Sequence, residues 1–200
     1  AAQSPYAAPT SATTGEAVVG GGEIVYAGFW KRVAAYFIDS LVVGIVGGVI
    51  AMVIGMVLGI GMAGIGGGSD AMGAGFIAIQ LLTNLVSIGL AAAYYAVFHA
   101  SSGKATLGKM AVGIKVVRSN GERITIARGI GRYFAAMLSG LILCIGYLMA
   151  AFTERKQSLH DMICDTLVVD KWAFTDHPEW QQRGLGTVTI VILSLFGVMV

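Results

Sequence analysis

From Val33 to Gly68 the chain carries one charged residue, Asp39. A helix rises about 1.5 Å per residue, so roughly 20 residues already cross the ~30 Å hydrocarbon core of a bilayer. A run this long and this apolar points to a membrane as the protein's solvent. Composition agrees, since the chain is 56% hydrophobic and 12% charged, about half the charge of an ordinary soluble domain. The first predicted span covers residues 33–60. Its far end, GIGMAGIGGGSD, is dense enough in glycine to predict a loop. Gly44 with Gly48, and Gly55 with Gly59, have the spacing that lets a second helix approach closely in lipid, and packing is the plain reading of them.

A second span is predicted over residues 76–98, where no acidic or basic residue occurs. Gln80, Asn84 and Ser87 fall on one face of it. In lipid such a face is expected to turn toward the bundle interior, to bond another helix or to line a hydrated path. Between Ser101 and Arg132 seven basic residues stand against one acidic residue, Glu122. By the positive-inside rule this loop, and the flank holding Lys31 and Arg32, is cytoplasmic. Within the loop two β-branched runs surround Asn120-Gly121, a hairpin signal.

The third apolar run, 133–153, leaves two topologies open. If it crosses once, residues 154–183 lie outside, and their four basic and six acidic residues permit that. If it turns back near Gly140 or Gly146 as a re-entrant segment, TLVVD at 166–170 can join the hairpin as a further strand. The expected fold is therefore all-α, three to four transmembrane or re-entrant helices with a small cytoplasmic β-hairpin. Residues 1–23, rich in Ala, Gly, Ser, Thr and Pro, read as a disordered tail rather than a signal peptide. Residues 172–186 read as a linker, and 187–200 as the start of a further, truncated membrane helix.

A net charge of +2 gives no case for nucleic-acid binding. Cys144 and Cys164 have neither disulfide-framework nor zinc spacing. HDMICD at 160–165 offers too few converging ligands for a metal, and a capped or salt-bridged turn is the better reading. GKATLGKM imitates a phosphate-binding loop through Gly108 and Lys109, but Met110 stands where a magnesium-binding hydroxyl belongs. No nucleophile, base and oxyanion set is visible, and His99 and His177 look incidental to acid/base work. Neither an enzyme nor a cofactor is expected.

Asp39 is the most informative residue, because an acidic group inside a span costs several kcal/mol unless paired, protonated or hydrated. Arg32 and Tyr36 share its helix face, with Arg32 about 10 Å away along the axis, a loose pair at best. Depth adds Tyr94, Tyr95 and Ser139 as neighbours. The cluster could hold a proton or a hard cation, or Asp39 could be a buried structural pin; both readings are open.

FWKRVAAYFIDSLVV, SGKATLGKMAVGIKVVRSNGERIT and RKQSLHDMICDTLVVD occur in that order, and together they resemble the RDD family of small bacterial membrane proteins, named for one arginine and two aspartates. The resemblance runs from about Ala27 to Lys171 and implies that Arg32, Asp39 and Asp161 are the family's charged residues. Cys164-Asp165 departs from the family pattern, leaving the role of Asp165 open. If Asp161 works with Arg32, both lie on the cytoplasmic side, which favours a re-entrant third segment. Some members are implicated in cation/proton antiport. The leading expectation is thus a transporter of the bacterial cytoplasmic membrane, exchanging Na+ or H+ at Asp39 with Arg32 tuning it, and working as a homo-oligomer because three or four spans hardly enclose a path alone. The competing class is a non-catalytic scaffold or assembly factor whose basic loop docks a soluble partner or anionic lipid.

Overall fold

A computed structural model describes residues 23–65, 69–142 and 144–198. The tail predicted over 1–23 lies outside the described residues except for Glu23. Two long helices dominate, α1 (Phe29–Ile65) and α2 (Ser69–Ala100), each long and apolar enough to cross a membrane. At ~1.5 Å per residue α1 is roughly 55 Å long. Its helix runs through the glycine-dense stretch that predicted a loop, as far as Ile65. Glycine costs only about 1 kcal/mol in a helix, whereas a backbone group without a partner in lipid costs several, so the helical ladder is kept.

After α2 the chain builds a small cap. Helix α3 (Leu107–Ala111) leads into strand β1 (Ile114–Arg118), which pairs antiparallel with β2 (Thr166–Asp170), Val116 opposite Val168. A tight turn does form at Asn120-Gly121, with Gly121 N–H donating to the Arg118 carbonyl. The strand expected to return from it is not there; β1 takes TLVVD as its partner instead. Segment 23–27 borders that ribbon, through a Tyr26–Val169 bridge and the Ala27 N–H on the Val168 carbonyl. Ile114, Val116, Ile124 and Val168 pack with Ala27 and with Ala34 and Ala35 of α1. Val117, Leu167, Val169 and Ala173 fill the other face. Both sides of the ribbon are covered, so its strands are buried nearly throughout, Lys115 included, instead of alternating between core and solvent.

The third apolar run is broken. Helix α4 (Ile126–Leu141) and helix α5 (Ile145–Phe152) meet at 100°. Gly146 of α5 comes so close to α4 that an added Cβ would lie 2.7 Å from Ser139. Tyr147 Oη also donates to the Ala136 carbonyl at 2.8 Å. Helix α6 (Leu159–Ile163) then brings Asp161 against Arg132, near the start of α4. A single crossing would have carried Asp161 a bilayer's thickness away; the chain instead comes back.

Helices α2 and α4 cross tightly at Gly129 of α4, where an added Cβ would meet Ala96 of α2 at 2.8 Å. The small-residue pairs of α1 do not provide this crossing. Nothing lies within 4 Å of a Cβ at Gly44, Gly48, Gly55 or Gly59. The predicted linker is ordered by Gln181, whose side chain bonds segment 23–25. Helix α7 (Thr187–Val198) packs on α1, with Phe196 stacked on Phe37 at 3.9 Å.

Candidate functional site: two buried carboxylates

Asp39 is 1% exposed. Its Oδ1 accepts from Tyr94 Oη and from the Gly108 N–H, both at 2.8 Å, and its Oδ2 accepts from Thr106 Oγ1 at 2.6 Å. Charge-assisted bonds of this kind are among the stronger ones in proteins. They tie α1 to α2 and to the first turn of α3. Gly108 is required here, because a Cβ would meet the Ala35 carbonyl oxygen at 2.2 Å and the Asp39 carboxyl at 2.9 Å. Gly108→Ala is therefore expected to separate α3 from α1 and to cost about 3 kcal/mol or more by overpacking and a lost buried bond. A fall in the detergent melting temperature of roughly 6 °C or more would register it. The Gly108 amide that imitates a phosphate loop is turned inward to this carboxylate.

Arg32 does not reach Asp39. Helical side chains lean toward the N-terminus, and Arg32 lies one turn into α1, so its guanidinium runs back to the Ala27 carbonyl at 3.0 Å and away from Asp39. It also donates to the Lys156 carbonyl and to Asp161 Oδ2, each at 2.5 Å. The loose Arg32–Asp39 pair read from spacing is thus replaced by an Arg32–Asp161 bond. Arg132 is a second guanidinium on Asp161, donating to Oδ1 through Nε at 3.1 Å and through Nη2. Ser158 completes the shell with N–H and Oγ on Oδ2 at 3.1 and 2.7 Å, a capping box that starts α6. The HDMICD stretch is accordingly a capped, salt-bridged turn. Burial alone would raise the Asp161 pKa, but Arg32 and Arg132 outweigh it and hold the carboxyl well below its ordinary range.

Beside these locks Lys109 Nζ lies 2.9 Å from His99 Nε2. Burial, with Arg132 adding repulsion against the pull of Asp39 and Asp161, lowers Lys109 to about 7. Burial likewise pushes His160 down to about 3, Asp161 opposing and Arg132 assisting, so its imidazole is neutral. Nδ1 of His99 and of His160 is buried without a partner among the described residues.

The remaining sequence-derived candidates fall elsewhere. Tyr36 is 58% exposed. Tyr95 stacks on Tyr133 and makes no bond to Asp39. Ser139 Oγ donates to the Ala135 carbonyl within α4. Gln80 and Asn84 are exposed and Ser87 half-buried, so the polar stripe of α2 faces mainly outward, no helix among the described residues burying Gln80 or Asn84. Asp165 has backbone φ of +50° and only solvent-exposed links to Arg128 and Arg118, at 3.5 and 3.9 Å, the kind worth little. No group of three or more metal-ligating side chains occurs among the described residues.

Two long apolar helices, a broken apolar pair and a cap locked onto them by buried charges define an integral membrane protein. The chain belongs to the RDD family, whose sequence profile matches residues 26–165. It is 41% identical over 148 residues to the uncharacterized protein YxaI of Bacillus subtilis (strain 168), covering 72% of this chain and 97% of that one. To the uncharacterized membrane protein YteJ of the same organism it is 29% identical over 150 residues, covering 72% and 80%. No solved structure matches.

Proposed function

We propose that the protein is a docking platform of the bacterial cytoplasmic membrane, N-terminus in the cytoplasm, whose buried carboxylates hold a basic cap rigidly on the membrane helices. One observation carries this reading: both oxygens of Asp39 are taken by three donors from α2 and the α3 turn. A carboxylate so engaged behaves as a pin, its oxygens held by protein donors and, at 1% exposure, closed to a passing sodium. Of the seven basic residues of the 101–132 loop, Lys104, Arg118, Arg123 and Arg128 reach solvent and present a surface suited to an anionic partner or lipid, while Lys109 and Arg132 are committed to His99 and Asp161.

Cation/proton exchange is the second reading, favoured by Lys109, which is lowered to about 7 and bonded to His99. In that reading the Lys109–His99 pair handles the proton while Asp39 stays locked. The outward amides of Gln80 and Asn84 would then meet a second copy, because amides facing lipid without partners are unfavourable. Full-length protein in vesicles with an acidic interior separates the two. Docking expects added sodium to leave the pH gradient as in empty vesicles. Sodium-dependent dissipation that Lys109→Met abolishes would establish exchange instead.

A further inference from the structure

A second concavity lies apart from the carboxylates, between the loop after α2, the start of β1 and the turn after β2. It encloses about 480 Å³ and is lined by Ser102, Lys104, Lys115 and Lys171, with Met110 and Phe174 on its apolar wall. No acidic residue lines it. Lys115 is 8% exposed, and among the described residues its ammonium has neither a hydrogen-bond nor an ion-pair partner. The acid nearest to it in effect, Asp170, spends its oxygens on the backbone N–H groups of Trp172 and Gln182. Lys104 is anchored through Nζ to the Gly121 carbonyl at 3.0 Å and has left-handed backbone, φ +53°. Burial lowers Lys115, and Lys104 adds repulsion. Lys171 is exposed, with its Nζ over the Trp172 ring at 5.4 Å, so Lys115 is the desolvated, unpaired charge of the cleft, and an anion shared with Lys104 and Lys171 relieves it.

We propose that the Lys104–Lys115–Lys171 cleft binds a phosphate group, supplied either by the headgroup of an anionic phospholipid or by a soluble phosphate. A phosphate among three ammonium groups gains charge-assisted bonds, and the Ser102 hydroxyl is within the same lining. The headgroup is the source the surface favours. Leu107 and Met110 of α3 are 41% and 47% exposed beside the cleft, and the whole site begins within a few residues of the end of α2. The proposal rests on the docking reading, for which it names a ligand.

The test uses full-length protein in mixed micelles of phosphatidylglycerol and phosphatidylcholine, with retained lipid read by native mass spectrometry and inorganic phosphate as competitor. Lys104 is left in place because it holds the 121 turn. Lys115→Gln with Lys171→Gln should lower phosphatidylglycerol retention roughly thirtyfold. Lys115→Arg with Lys171→Arg should keep it, which guards against misfolding as the cause. Arg155→Gln with Arg183→Gln removes as much charge from exposed positions outside the 101–132 loop and should change it little. Displacement of the lipid by inorganic phosphate identifies a soluble source, and resistance to it identifies the headgroup. Equal loss in both glutamine double variants overturns the cleft while sparing a diffuse basic docking face. A wild type that holds neither phosphatidylglycerol nor phosphate overturns the cleft outright, and the sodium experiment then judges docking separately.

Discussion

Asp161→Asn is expected to destabilise the protein by about 3–5 kcal/mol, because it leaves the guanidiniums of Arg32 and Arg132 buried without their counter-charge. In a chain of 200 residues that amounts to roughly 10 °C in melting temperature. The effect is large because Asp161 is completely buried and joins three elements, with Arg32 on α1, Arg132 on α4 and Ser158 at the start of α6. Its pH dependence follows from the sign of the shift. The folded-state pKa lies well below the ordinary carboxyl value, so the unfolded chain takes up the proton first as pH falls. The stabilisation is complete above the ordinary carboxyl range and is lost as pH drops through it toward the folded-state value. Melting curves of wild type and Asp161→Asn should therefore converge on acidification from about pH 5 downward. A gap that stays constant over that window would assign the loss to packing instead of charge.

The three charged residues were visible in the sequence as types and positions, but their pairing was not. Arg32 and Asp161 are separated by 129 positions, and helix periodicity speaks only of residues on one helix, so it offered Asp39 as the partner. Arg132 was counted as one of seven topogenic charges, and nothing in its neighbourhood marked it as buried. Ser158 had a local signal, since Ser-x-x-Asp before an apolar residue is a capping box. Thr106 and the Gly108 amide had none, because a carboxylate's partners on another segment leave no spacing to read. The two long helices were legible from length and hydropathy alone. The ribbon was half legible: each β-branched run stands out, while the choice of β2 over the segment after Asn120-Gly121 depends on the α4–α5 bend, which returns TLVVD to β1.

Asp39 as a pin and Asp39 as an ion carrier are told apart most sharply when two substitutions are compared. In Asp39→Asn the carbonyl oxygen can remain at Oδ1, where Tyr94 Oη and the Gly108 N–H donate. The amide nitrogen then takes the place of Oδ2, and the Thr106 hydroxyl, which both donates and accepts, can rotate to receive it. Only charge assistance is lost, about 1–2 kcal/mol. Asp39→Ala leaves all three donors without an acceptor in a buried place, which at about 1–3 kcal/mol each sums to ~3 kcal/mol at the least. The pin reading therefore expects Asp39→Asn to fold and to keep the basic cap in place, with Asp39→Ala lost from the monodisperse peak on size exclusion in detergent. An ion-carrying Asp39 expects something different, a well-folded Asp39→Asn that has lost sodium-dependent proton movement. Folded Asp39→Asn with full flux would leave Lys109 and His99 as the proton-handling groups. Asp39→Ala as stable as wild type would remove the pin, since no satisfied buried carboxylate can be deleted without leaving its donors behind.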